Sequence, residues 1–475
     1  VSGTLDKKDK KIKYSKKLGD SLKMKVNENI FREYDIRGIA DEDLTDEFAY
    51  HLGRAFGTYL KRRNLTNIAV GRDVRKSSPR LFENISKGLS NSGCNVTNIG
   101  IGPTPLLYFT VFHYDMDGGL MITGSHNPIE YNGFKMMRGK ETVYGKQIQE
   151  LKEIIIKEDY EEGKGKITDK EVAGDYIEYT SSLISPGKSL KIVLDPGNGT
   201  AGPIATELFN LFGTEFECIN CEPDGNFPNH LPDPTVVKYT KQLTDKVIRT
   251  KADMGIGYDG DSDRAGIIDE NGRLIYGDQL LGALAKPIIE KNPGTEVIFD
   301  VKCSQGLVEW IEKLGGKPLM WKTGHSLLKV KMKETGSLIA GEMSGHIFIG
   351  DNYYGFDDAL FVSARFYEIA SKSDKKVSEI INEMPYYEST PEIRTEVGEE
   401  AKWKIVEAAR KEFRKKYKTI EIDGVRILFG DGWGLVRASN TQPIVVTRYE
   451  AKTKERLEEI KNIVTDFITR QTAKM

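Results

Sequence analysis

The sequence predicts an α/β fold of three similar mixed-sheet domains followed by a C-terminal α+β domain, on three observations. First, a short β-branched run followed by a charged or glycine-rich turn recurs at Asn67–Asp73, Lys191–Asp195 and Glu296–Asp300. Such runs read as buried strands, and the amphipathic sequence after them, as at Pro79–Leu89 and Gly306–Leu314, reads as the helix of a βα unit. That combination marks a largely parallel sheet covered by helices. Second, the chain beyond Ser389 breaks the pattern. Ala401–Tyr417 reads as a charged helix, Gly424–Phe429 and Gly434–Arg437 as antiparallel strands about a Gly-rich turn, and Thr453–Thr469 as a closing helix. Third, 475 residues exceed what one core serves. The domains are expected at 28–171, 172–271, 272–388 and 389–475. Residues 1–27, with nine lysines in Val1–Lys25 and no apolar segment, are expected to be a disordered basic tail rather than a secretory signal.

Composition narrows the function. Apolar content of 39% and charged content of 29% fit a globular protein. A net charge of −2 gives no general pull toward nucleic acid or acidic membranes. No stretch approaches the roughly 20 apolar residues of a membrane span. Cys218 and Cys221 have redox-motif spacing, but no second Cys or His pair completes a zinc site. With Cys94 and Cys303 they are expected to be reduced, structural thiols in a reducing cytosol.

Four loops carry chemistry. Thr123–Lys135 sets Ser125 among turn formers after the apolar run Gly118–Ile122, with Gly124 free to bend and Pro128 opposing a helix. A serine on a loop at a strand end is a candidate nucleophile or phosphate carrier, and Lys135 could offset a phosphate there. Asp259, Asp261 and Asp263 alternate, so in an extended segment they would point one way and call for a cation. Oxygen-only ligands favour Mg²⁺ or Ca²⁺. An EF-hand is rejected, because Arg264 stands where its glycine is needed and strand-like sequence flanks the loop. Arg264 either polarises a substrate oxygen or balances charge.

The third loop, Gly341–His346, gathers Glu342, Ser344 and His346 between glycines, groups that can bond sugar hydroxyls; His325 lies in a similar turn, Thr323–Ser326. His126, His230, His325 and His346 all sit in polar loops, which favours ligand contact over packing. The fourth, Arg437–Pro443, offers the Arg437 guanidinium with Ser439, Asn440 and Thr441, a loop able to wrap a phosphate but without P-loop spacing. Taken singly, each also reads as an ordinary polar turn.

Together and in this order, the loops resemble those of the α-D-phosphohexomutase family, closest to its bacterial phosphomannomutase/phosphoglucomutase group. Glu33–Gly38, Pro223–Pro228 and Asp300–Lys302 add to the resemblance, which runs from about residue 28 to the C-terminus. It implies four domains around a central active-site cleft. It implies that Ser125 carries the phosphoryl group, and that Ser125, Asp259, Asp261 and Asp263 hold Mg²⁺. Arg264 and Lys135 would assist proton movement, with His126 in the catalytic set. Glu342, Ser344, His346 and His325 would grip the sugar. Arg437, Ser439, Asn440 and Thr441 would hold the idle phosphate, and Tyr34, Arg37 and Lys302 would complete the cleft. The implied reaction moves a phosphoryl group between the 1- and 6-positions of a mannose or glucose phosphate through a hexose 1,6-bisphosphate. Met343 in Gly-Glu-Met-Ser-Gly-His resembles the dual mannose/glucose group, whereas phosphoglucosamine mutases usually have Gln there.

The expected partner is a small sugar phosphate, not nucleic acid or membrane, on a cytoplasmic monomer or, alternatively, a dimer. Phosphoglucosamine mutase is the alternative substrate class. A serine-dependent sugar phosphatase is a further rival, without a Gly-x-Ser-x-Gly elbow. A non-catalytic sugar-phosphate binder is the last, opposed by the intact serine and aspartates.

Overall fold

The computed structural model describes residues 26–439 and 442–474. The expected tail, apart from Val26 and Asn27, lies outside them, as do Asn440 and Thr441. The described residues form four sheets with flanking helices.

The repeated strands take equivalent places in the first three sheets. Asn67–Arg72 lies between the parallel strands Asn95–Ile101 and Gly118–Ile122, and Tyr131–Arg138 then adds antiparallel to the last of these. Lys191–Asp195 lies between Glu215–Cys218 and Met254–Tyr258, again with an antiparallel neighbour, Ala265–Asp269. Glu296–Asp300 lies between Lys317–Trp321 and Ile339–Gly341, followed antiparallel by Ile347–Ile349. These central strands are buried on both faces, which is why they read as unbroken apolar runs. In each sheet a loop leaves the C-terminal end of a parallel strand and returns as an antiparallel one. Those three loops hold Ser125, Asp259–Asp263 and Glu342–His346.

The fourth sheet is antiparallel. Gly432–Ala438 pairs with Val425–Leu428 and with Ile444–Ala451, against the helices Glu399–Phe413 and Lys454–Thr472. One continuous apolar core runs through the first three domains, the first domain has a second, separate core, and the fourth has its own. A small cluster of Val301, Trp433 and Leu435 joins the third and fourth. There the buried Arg426 stacks on Trp433 and donates to the carbonyls of Val301 and Cys303 at 2.9 and 2.7 Å.

Two expectations fail. Asp259, Asp261 and Asp263 are not brought together by strand alternation. They sit in a tight turn, with Ser262 at φ +60° and its N–H donating to the Asp259 carbonyl. Cys218 and Cys221 are not reduced but joined in a disulfide. Cys218 ends an edge strand, and Asn220 in the left-handed region folds the chain back. That leaves the two Cα atoms 5.9 Å apart, within the usual range for the bond. Cys94 and Cys303 are free and buried, and burial pushes the Cys94 thiol up to about 11.

An aspartate stands at the end of each repeated strand, or one position past it, and organises the loops beyond. Asp73 accepts from the N–H of Gly124, and Asp300 from Thr323 Oγ1 and the N–H of Met343. Asp195 accepts from His230 Nε2 at 3.0 Å. Burial disfavours a charged His230, but Asp195 outweighs it and raises the imidazole above its ordinary value. A raised folded-state value gives stability that is complete below the unfolded value of about 6.5 and lost as pH rises through the folded one. We therefore expect His230→Gln to lower the thermal midpoint more at about pH 5.5 than at about pH 8.5. Equal losses at both, by differential scanning calorimetry, would refute a charged pair.

Candidate active site

Ser125 sits in the left-handed region at φ +48° and is 4% exposed. Its hydroxyl donates to Asp259 Oδ2 at 2.9 Å and lies 3.0 Å from His126 Nδ1. Two glycines make this possible by absence of bulk. A Cβ on Gly124 would meet Arg75 Nε at 2.3 Å, and one on Gly260 would meet the Ser125 carbonyl at 2.5 Å. Arg75 is a site residue that sequence reasoning missed. It is fully buried and donates to the carbonyls of Ser125, Asn127, Pro128 and Tyr131 at 2.6 to 2.9 Å, so one guanidinium sets the course of the serine loop. Its only signal was the charged turn after the first repeated strand.

Asp259, Asp261 and Asp263 have no exposed surface, and their ligand atoms lie within 4.8 Å of one another. Burial, then the like charges of Asp263 and Asp261, push Asp259 up to about 7. Two cations oppose this. Lys135 Nζ, from the first domain, donates to both Asp261 and Asp263; burial works against its charge, but these carboxylates hold it well above the ordinary lysine value. Arg264 donates from Nε to Asp259 Oδ2 at 3.1 Å. Thr104, also unforeseen, donates its hydroxyl to Asp261. Asp261 Oδ1 and Asp263 Oδ1 are buried without a hydrogen-bond partner, so the carboxylates fit a hard divalent cation.

Burial, and then the nearby Arg264, hold the His126 imidazole well below its ordinary value, hence neutral. His346 behaves oppositely: burial disfavours its charge, but Asp263 and Asp357 raise it. Asp357 lies 3.0 Å from His346 Nδ1, 3.6 Å from His325 Nδ1 and 2.9 Å from Lys329 Nζ. It too was missed, though it lies in a Gly-rich polar turn eleven positions after His346. Glu342 accepts from the N–H of Gly324 at 2.7 Å, and the Tyr34 hydroxyl donates to the Thr323 carbonyl. The side chain of Ser344 is half-buried.

Beside these groups lies a cleft of about 700 Å³, bordered by residues of all four sheets' domains; His126, Arg264, His325, Glu342 and His346 line it, while Ser125, Lys135 and the three aspartates are buried behind its lining. Arg37 and His126 line it from the first, Arg264 from the second, Glu342 and Ser344 from the third, and Arg437 and Ser439 from the fourth. Lys302 also lines it, near Glu392 and Asp300, while Arg437 donates to Asp423. Arg37 Nε and Arg264 Nη2 are buried donors without a hydrogen-bond partner, a disposition suited to an anion. His126, His325 and His346 line the cleft as read from the sequence, whereas His230, also expected to meet a ligand, is turned to Asp195 instead.

Sequence comparison decides what the cleft belongs to. Four family domains match in order: phosphoglucomutase/phosphomannomutase alpha/beta/alpha domain I over residues 28–162, domain II over 174–272, domain III over 276–387 and the C-terminal domain over 392–467. The chain belongs to the α-D-phosphohexomutase family. The mutase is 45% identical over 436 residues to a phosphomannomutase/phosphoglucomutase of Pseudomonas aeruginosa, covering 92% of this chain and 94% of that one. It is 43% identical to a phosphoglucomutase of Neisseria meningitidis, covering 92% and 96%. A crystal structure of a phosphoglucomutase/phosphomannomutase family protein from Burkholderia thailandensis superposes with a TM-score of 0.89 at 38% identity, covering 94% and 98%. This protein is accordingly a phosphohexomutase, an isomerase.

The loop geometry makes a prediction for the mutase. Arg75→Lys, which cannot reach four carbonyls, should cost about 2–4 kcal/mol of stability. Gly124→Ala, which forces Arg75 aside, should lower turnover by about tenfold or more with a smaller loss of stability. Urea unfolding and steady-state turnover measure the two. Wild-type values in both variants would remove Arg75 from the site.

Proposed function

We propose that this mutase carries its phosphoryl group on Ser125 and passes it to and from a hexose monophosphate through a hexose 1,6-bisphosphate. The observation that carries this reading is the Ser125 hydroxyl, buried, 2.9 Å from Asp259 and 3.0 Å from a neutral His126. In the forward half, the Ser125 O–P bond breaks as a bond forms from phosphorus to the free sugar hydroxyl. The hydroxyl proton goes to a base beside the serine, a role we assign to His126. Arg264 and Lys135 flank the transfer and assist proton movement. The bisphosphate then turns end for end, and Ser125 takes the other phosphoryl group, leaving the isomeric monophosphate.

Asp259, Asp261 and Asp263, with an oxygen on Ser125, would hold Mg²⁺. When bound, the ion offsets charge on the transferring phosphoryl group. Glu342, Ser344, His346 and His325 would hold the sugar hydroxyls in either orientation. Arg437 and Ser439, with Asn440 and Thr441, would bind the phosphate that is not reacting, and Tyr34, Arg37 and Lys302 would close the cleft. The names of relatives favour mannose and glucose phosphates as substrates. Domain limits near Val172, Asn271 and Ser389 complete the reading.

Ser125→Ala should reduce turnover by about a thousandfold or more and abolish labelling of the protein by ³²P-glucose 1,6-bisphosphate. Near-normal turnover of this variant would overturn the assignment, and release of free phosphate by the wild type without any bisphosphate requirement would favour the phosphatase. With Mg²⁺ and bisphosphate present, mannose 1-phosphate and glucose 1-phosphate should both turn over faster than glucosamine 1-phosphate. The reverse order would reassign the substrate.

A further inference from the structure

Asp423 has no assigned contact with the sugar phosphate, yet one of its carboxylate oxygens serves two domains. Oδ2 accepts from Arg437 Nε at 2.6 Å, within the fourth domain, and from the backbone N–H of Thr323 at 3.1 Å, in the third. The side chains of the ion pair are 8% and 15% exposed, so solvent screens it little. Burial works against the charge of Arg437, but Asp423 holds it above the ordinary arginine value. This bond is made at Nε. It fixes the plane of the guanidinium without engaging the two terminal nitrogens with which an arginine forks a phosphate. The turn that carries the carboxylate packs directly on the strand that carries Arg437. A Cβ on Gly424, at φ +80°, would meet the Val436 carbonyl at 2.5 Å and Arg437 Cα at 2.8 Å.

The other donor, Thr323, lies where three domains converge. Its Oγ1 donates to Asp300 at 3.0 Å, and its carbonyl accepts from the Tyr34 hydroxyl of the first domain at 2.9 Å. The next N–H, that of Gly324, donates to Glu342 at 2.7 Å. Thr323 and Gly324 are thus held from the first, third and fourth domains, and His325 follows them directly as the first residue of its helix. A displacement of Asp423 is therefore felt at both Glu342 and His325, residues given above to the sugar.

We propose that Asp423 is a positioning residue that couples the phosphate grip to the sugar grip. It aligns Arg437 for the idle phosphate and, through the Thr323 N–H, ties that alignment to the loop shared by Glu342 and His325. The inference rests on the assignment of Arg437 to the phosphate and Glu342 to the sugar. Ordering one end of the substrate site then orders the other, so the two halves of a hexose phosphate reinforce each other in binding.

The test is a double-mutant cycle in the full-length enzyme, read as the KM for glucose 1-phosphate. Asp423→Ala should raise KM about tenfold with a smaller fall in kcat. Asp423→Asn, whose amide oxygen can stand where Oδ2 stands, should stay within about threefold of wild type. Combined with Glu342→Gln, Asp423→Ala should raise KM at least about fivefold less than the product of the two separate effects, because either change alone already breaks the coupling. Effects that multiply would show two independent grips and overturn the proposal, as would an Asn variant as impaired as the Ala one. Arg437→Ala separates this inference from the reading beneath it. An unchanged KM in Arg437→Ala would overturn the phosphate assignment, and the coupling with it. A raised KM there beside an unmoved Asp423→Ala would overturn the coupling alone. If Asp423→Ala does not fold, Asp423→Ser, too short to reach both donors, carries the same cycle.

Discussion

Three carboxylates buried in one turn are the constraint on which the arrangement depends. Asp259, Asp261 and Asp263 cannot share a dry site without positive charge close by. That charge comes from Arg264 within the same loop and from Lys135 across the boundary with the first domain. The ion cluster therefore fastens two domains together, and it does so where Ser125 approaches Asp259. The serine loop must be rigid for this to hold, and the four carbonyl bonds from Arg75 supply the rigidity. His346 belongs to the same charge network from the third domain, since Asp263 and Asp357 both face it.

Much of this was legible in the sequence, for identifiable reasons. The repeated strands stood out because strands covered on both faces become continuous apolar runs. The four loops stood out because catalysis concentrates unusual polar residues in glycine-rich segments. The supporting residues did not. Arg75 and Thr104 act on partners 50 and 157 positions away, Asp357 and Asp423 on partners 11 and 14 positions away across a turn, and nothing local distinguishes a buried arginine from a surface one. The metal loop misled in its geometry, because alternate aspartates mimic a strand while the left-handed Ser262 turns them inward. The cysteine pair misled because chemical context was read from an expected compartment, whereas the backbone turn at Asn220 brings the two residues together.

The three strand-end aspartates show how far the internal repetition extends. Asp73 and Asp300 hold backbone N–H groups of the serine and sugar loops, while Asp195 has turned to His230. The shared scaffold is thus kept in strand order and in one anchoring residue, and the chemistry differs only in what each loop carries.

That common loop position has a consequence for how the protein can change. A segment that leaves one strand and returns beside it as a hairpin has both ends clamped by sheet hydrogen bonds. The strands fix where such a segment begins and ends, and what its interior carries is set by the contacts it makes above the sheet. Of the three, the sugar loop has the most room to change what it carries, whereas the serine and metal loops are tied to each other by Lys135 and Ser125, so that a change in one is felt in the other.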